Sequence, residues 1–256
     1  MSRPDATQKL AAVTPKSGSS RKTVAIVVAA VAVVVLVVTV VAAISAGRAV
    51  SRAVETQAPG GSASAAAQAF PKGATGFGGP IVVNPGVPAT VPVLDVYEDP
   101  QCPICQQYEA MFGPAVSGMV AAGQVRLVVH TMTFLDTNLR NDSSRRAAAA
   151  AFCAADQDRF SEYMSAVYAG QPAQEGQGWT NGQLTGFATQ AGISGEALSS
   201  WQACVDSKKY AAHVDALEVA SEKSGVTGTP TVRLNGKKVT LTTPADLVAQ
   251  VKAATP

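Results

Sequence analysis

Histidine is nearly absent from this chain of 256 residues: His130 and His213 are the only two. So little imidazole leaves almost no material for a histidine-based metal site or catalytic triad. An excess of charge of one sign is also missing. Lys and Arg number 20 against 18 Asp and Glu, a formal net charge of +2, which is too small to argue for nucleic acid as a partner. Aromatic residues make up only 5%. The composition is otherwise that of an ordinary globular protein rich in Ala and Val, and no internal repeat interrupts it.

Long apolar runs are absent except for one. Positions 24–44 read VAIVVAAVAVVVLVVTVVAAI, with Thr39 the only mildly polar residue. As a helix this run would span about 31 Å, close to the thickness of a bilayer hydrocarbon core. Arg3, Lys9, Lys16, Arg21 and Lys22 precede it against the single acid Asp5, whereas only Arg48 and Arg52 follow closely. That asymmetry keeps the N-terminal side in the cytoplasm. The alternative is a cleaved signal peptide, with Ala-x-Ala-like sites between Ala42 and Ala49, although the apolar stretch of such a peptide is normally about 7–15 residues. In both readings the remainder of the chain leaves the cytoplasm. Positions 1–22 are thus expected to be a cytoplasmic tail and 23–45 a single transmembrane anchor in the cell membrane. Positions 46–79, rich in Ala, Gly, Ser, Pro and Gln, are expected to be a flexible linker. A single folded domain is expected over 80–256.

Within that domain, Ile81 to Val83 and Ala89 to Val91 read as short strands around the turn-rich NPGVP. Val93 to Tyr97 reads as a strand leading directly into Cys-Pro-Ile-Cys. Pro103 to Phe112 has helical composition, with Pro103 at the first helical position, where a missing N–H costs nothing. Val125 to His130 reads as a buried strand. A helical block follows from about Ser143 to Ser224, interrupted by QPAQEGQGWTNG and GISG. Thr231 to Leu234 and Lys237 to Leu241 flank Asn235-Gly236, a strong hairpin signal. A last helix begins at Thr243 (N-cap) and Pro244. The order is that of an α/β fold with a helical insertion.

The four cysteines carry the chemistry. Cys102 and Cys105 form a C-x-x-C motif after a strand and at the start of a helix. There the free backbone N–H groups and the positive end of the helix dipole favour a thiolate. Cys102, the exposed first sulfur, would form a mixed disulfide with substrate, and Cys105, one turn along, would resolve it. Two other readings remain open at this point. One is a zinc knuckle, which needs four ligands in closely spaced pairs, and the other is a purely structural Cys102–Cys105 bridge. Cys153 and Cys204 both fall in the helical block. Outside the cytoplasm two such thiols are more often paired than free, so a structural bridge is expected, with a second redox couple as the alternative.

The stretch VLDVYEDPQCPICQQYE, followed far downstream by GVTGTPTVRLNGKKV, resembles the DsbA-like branch of the thioredoxin superfamily, the disulfide-bond-forming proteins. The resemblance covers about 81–256. It implies a thioredoxin-like fold with a helical insertion at about 136–224, preceded here by one transmembrane helix. It also implies that Pro230 is a cis-proline beside the active-site sulfurs and that the backbone of Thr229 pairs with an extended substrate. Gly225 and Gly228 would allow the turn. The chain departs from the family at one point: many relatives carry a buried strand carboxylate that exchanges a proton with the second sulfur, and Val96 stands at that position. Of the nearby acids Asp95, Glu98 and Asp99, Asp95 falls on the opposite face from Val96, and Glu98 is the best candidate for a proton relay.

His130, at a strand end, reads as packed or solvated, with an approach to the active-site end of the sheet as the functional alternative. His213 and the pairs Arg145-Arg146, Lys208-Lys209 and Lys237-Lys238 read as solvated faces, and Trp179 and Trp201 as packing.

The function implied is oxidation of exported polypeptides with free thiols, with regeneration by a membrane-embedded, quinone-linked thiol oxidase. No cofactor or metal is expected, because the cysteine pair carries both electrons. A reductase of the same fold, or a non-catalytic peptide-binding module or holdase, is the alternative.

Overall fold

The computed structural model describes residues 68–255, and the alternating run VLDVYE sits at the centre of what it describes. Leu94 and Val96 point to one face and are buried. The strands are β1 (Ile81–Val82), β2 (Val93–Glu98), β3 (Arg126–Thr131), β4 (Thr231–Leu234) and β5 (Lys237–Lys238), in the spatial order β1-β3-β2-β4-β5. Among the described residues only β2 and β3 run parallel, and a parallel pair needs a crossover. That crossover is α1 (Pro103–Ala121). The remaining helices are α2 (Leu135–Leu139), α3 (Ser143–Ala155), α4 (Phe160–Ala169), α5 (Asn181–Gln190), α6 (Gly195–Asp206), α7 (Ala211–Lys223) and α8 (Pro244–Ala253). The result is a thioredoxin-like α/β sheet with the helices α2 to α7 inserted between β3 and β4.

Two large apolar cores, and a small third one of Tyr97, Met132 and Val226, are formed among the described residues. Leu94, Val96 and Val232 on the sheet pack with Phe112, Val116 and Met119 of α1 and Leu247 and Val251 of α8. The insertion has its own core, in which Phe152, Tyr163, Trp201 and Leu217 are almost fully buried. Trp179 and Trp201 are both core residues, and their indole N–H groups donate to Gly170 O and Ala150 O. Thr180 starts α5 with a reciprocal capping box to Gln183, and Thr243 caps α8 through the amide of Asp246. Asn235 and Gly236 both have positive φ, as the hairpin requires, and Asn235 also exchanges hydrogen bonds with Val93 across β2.

Several local expectations are corrected. Helix α1 runs to Ala121 rather than ending at Phe112, because its buried stripe Cys105, Tyr108, Phe112, Val116 and Met119 continues through Pro114. Burial of that stripe outweighs the roughly 3 kcal/mol cost of an interior proline. Ala89 to Val91 forms a turn, not a strand, since Pro88 and Pro92 flank it and supply no N–H. Strand β5 ends at Lys238 instead of reaching Leu241.

The expected linker ends sooner than position 79. Lys72 N–H donates to the Asp156 carboxylate, Ala74 bridges to Ile81, and Gly78 N–H donates to His213 Nδ1 at 3.0 Å. That last bond explains a second correction. His213 is fully buried among Phe77, Phe152 and Tyr210, not on a solvated face. Arg145 pairs with Asp215 at 2.6 Å, and Arg146 bonds to Trp179 O and Asn181, so this pair also holds the insertion together. The apolar run at 24–44, the tail and the linker up to position 67 lie outside the described residues. Among the described residues no helix is long and apolar enough to cross a membrane.

Candidate active site

Strand β2 ends at Glu98, and the chain turns through Asp99–Gln101 to put Cys102 at the N-cap of α1. The turn is held by polar side chains. The Asp99 carboxyl accepts from Gln101 N (2.9 Å), Leu135 N (3.1 Å) and Ser144 Oγ (2.5 Å). The Gln101 amide nitrogen lies within hydrogen-bonding distance of Asp136, Asn141 and Ser144, while its carbonyl accepts from Asn141. Gln171, in the loop after α4, donates to both Pro100 O (2.6 Å) and Cys102 O (3.0 Å). The loop before the first cysteine is therefore fastened to the helical insertion.

Cys102 and Cys105 are both free thiols. Cys102 retains 7% exposure and Cys105 none, so only the first sulfur is open to a partner. Cys102 Sγ lies 3.6 Å from the carbonyl oxygen of Thr229, and the Thr229–Pro230 peptide bond is cis. Of the two nearby glycines, Gly225 has positive φ (+83°). The Cys102 thiol is pulled down to about 6, first by the Cys105 thiol hydrogen bond and then by the Cys105 and Ile104 amides, against the opposing effect of burial. Burial, followed by the neighbouring Cys102 and Glu98, pushes the Cys105 thiol upward. The two sulfurs are thus driven apart in acidity, one into the range where it ionises at neutral pH and the other held protonated.

Glu98 is buried on the α1 side of the sheet, facing Glu109 of α1. Burial and then Glu109 hold its carboxyl well above the usual range, and burial likewise raises Glu109. A cavity of about 80 Å³ lies beside both carboxyls and Tyr168. Asp95 is on the other face, paired with His130 at 3.0 Å, and the His130 ring stacks on Tyr97 with centroids 3.8 Å apart. His130 is therefore packed and is not brought to the sulfurs.

Cys153 and Cys204 are joined by a disulfide that links α3 to α6, with Cα atoms 5.9 Å apart. Because Cys153 and Cys204 are bonded to each other, they do not offer the second thiolate pair that a zinc knuckle needs. Sequence reasoning did not single out Gln101, Glu109, Ser144 or Gln171. The only signal available was local: Glu109 falls one helical turn after Cys105 and Gln101 immediately precedes Cys102, whereas Gln171 lies far along the chain.

The buried carboxyls make stability depend on pH with a definite sign. Asp99 is raised to about 7 by burial, and Glu98, Glu109, Asp136 and Glu218 are raised from the same cause. A raised group binds its proton more tightly in the folded state, so its contribution is complete below the unfolded value near 4 and is lost as the pH rises through the folded value. His213, lowered by burial, works the other way below about 6.5. We expect the carboxyls to prevail. With Cys102–Cys105 oxidised, so that neither sulfur titrates, the protein should resist urea better at pH 5.5 than at pH 8, by on the order of 3 kcal/mol. An unfolding midpoint equal or higher at pH 8 would count against this assignment.

Comparison with known proteins agrees with this geometry. The thioredoxin family model matches residues 81–253. Oxidised DsbA of Mycobacterium tuberculosis is similar at 32% identity over 66% of this chain and 90% of its own, with a TM-score of 0.56. The disulfide bond oxidoreductase DsbG of the same organism is similar at 31% identity over 71% and 91%, with a TM-score of 0.58. The thiol-disulfide oxidoreductase MdbA of Actinomyces oris follows at 26% over 65% and 83%, with a TM-score of 0.56. No curated protein matches the chain. With an ionisable sulfur at a helix N-cap, a buried partner sulfur and these relatives, the chain belongs to the thioredoxin family, in its DsbA-like branch, and is a protein-disulfide oxidoreductase.

Proposed function

We propose that the chain donates disulfides to exported polypeptides outside the cytoplasm. The observation that carries this reading is the contrast between the two sulfurs, with Cys102 pulled down to about 6 and Cys105 pushed up. An ionised, stabilised Cys102 favours the reduced pair, and a pair that prefers reduction is an oxidant of its substrates. A substrate thiolate attacks Cys102 Sγ, breaking the Cys102–Cys105 bond and forming a mixed disulfide. The departing Cys105 sulfur takes up a proton, for which the buried, raised carboxyl of Glu98, sharing its site with Glu109 and acting on Cys105, is the source. A second substrate thiolate then attacks the substrate sulfur and releases Cys102 as thiolate. The substrate gains a disulfide and the enzyme holds both electrons. The carbonyl of Thr229 and the Pro230 turn lie beside Cys102, where an extended substrate segment would pair.

The extracytoplasmic setting is supported by the bridge between Cys153 and Cys204, a feature of oxidising compartments. The apolar run at 24–44 and its basic N-terminal flank support a single-pass tether with the N-terminus in the cytoplasm. Such a tether would raise the effective concentration near a membrane-embedded quinone-linked thiol oxidase that removes the electrons. The test is equilibration of the full-length chain with glutathione. A potential above about −180 mV is expected, whereas a value near that of thioredoxin, about −270 mV, would reverse the direction to reductase. A pair that does not exchange at all would leave only a binding module.

A further inference from the structure

We propose that Gln171 is a positioning residue for thiol–disulfide exchange, through which the helical insertion holds the Cys102 N-cap in its reactive geometry. Its amide nitrogen has two hydrogens and uses both on the active-site loop, at Pro100 O and Cys102 O. These carbonyls bracket Gln101, whose side chain is held separately by Asp136, Asn141 and Ser144. The segment from Pro100 to Cys102 is thus gripped at its backbone by one part of the insertion and at its side chain by another.

The Cys102 carbonyl also closes the first turn of α1, accepting from Cys105 N at 3.1 Å and Gln106 N at 3.2 Å. Moving this carbonyl would move the amides that face the sulfur. Gln171 is in turn kept in place, because Trp179 Nε1 donates to Gly170 O and Asn141 Nδ2 donates to Gly176 O, on either side of it in its loop. This amide explains how the insertion, which supplies neither sulfur, bears on the chemistry of Cys102.

The proposal rests on Cys102 being the reacting sulfur, and the experiment separates the two claims. The ultraviolet absorbance of the reduced full-length chain is followed with pH to find the midpoint of Cys102 ionisation. Gln171→Ala should raise that midpoint by about half to one pH unit, because the N-cap is released and the thiolate loses donors. Gln171→Glu, which sets a carboxylate against two carbonyls, should raise it further. Gln174 is exposed in the same loop and bonds to neither carbonyl, so Gln174→Glu controls for charge alone and should shift the midpoint far less. Equal shifts in the two Glu variants, or no shift in Gln171→Ala, would overturn the role of Gln171. Persistence of the whole transition in Cys102→Ser would instead overturn the choice of sulfur.

Discussion

Replacing Cys102 by Ser is expected to remove dithiol oxidation almost entirely, lowering the rate at neutral pH by about a thousandfold or more. The only remaining free thiol in that variant would be Cys105, which has no solvent exposure and is held in its protonated form by burial. It can neither be reached by a substrate nor present a thiolate. The reciprocal variant should behave differently. Cys105→Ser keeps the accessible sulfur beside Thr229, and when reacted with an activated disulfide it should accumulate a mixed disulfide on Cys102 that no internal thiol can resolve. Oxidation of a dithiol peptide, followed by fluorescence, reads the first effect, and non-reducing electrophoresis reads the second. Residual oxidation above about a tenth of the wild-type rate in Cys102→Ser would mean that Cys105 can react directly, against the burial argument.

The thiol chemistry was readable in the chain because it is local. A strand, Cys102 and Pro103 at a helix start lie within a few positions, so the motif and the dipole that activates it appear in one glance at the sequence. The same holds for the Asn235-Gly236 hairpin and the Thr243-Pro244 helix start. What escaped depends on distance along the chain. His213 looks like a surface residue until Gly78, far upstream, donates to it. Residues 71–79 have the composition of a linker, yet Phe77 packs edge-on against that same ring. Gln171 and Gln101 carry no periodic signature, since an amide bonded to a carbonyl and an amide in solvent are the same letter. Helix α1 shows the limit of propensity: Pro114 argues for a stop, and only the sheet beneath Val116 and Met119 explains why the helix goes on. Glu98 was the best candidate once strand alternation put Asp95 on the face opposite Val96, but its partner Glu109 becomes visible only when α1 is laid across the sheet.

Removing the Cys153–Cys204 bridge should produce the largest loss of stability among single covalent changes, while sparing the chemistry. The bridge closes a loop with a sequence separation of 51, for which the chain-entropy model gives about 4 kcal/mol of constraint on the unfolded state. Native-state strain usually reduces the realised value, so a double Cys153→Ser, Cys204→Ser variant should lose about 2–4 kcal/mol, or roughly 5–15 °C in Tm for a domain of this size. The fold should survive the change. Trp201 is buried and donates to Ala150 O at 2.9 Å, so α6 keeps a second attachment to α3. At 25 °C the reactive pair should be untouched, because Ser144 on α3 and the loop that carries Gln171 hold the Cys102 segment without either sulfur of the bridge. Thermal unfolding and dithiol oxidation measured on the same variant separate a staple from a second redox couple. A staple predicts lost stability and retained turnover. If turnover fell with little change in Tm, electrons would have to pass through Cys153 and Cys204, and the bridge would belong to the catalytic cycle.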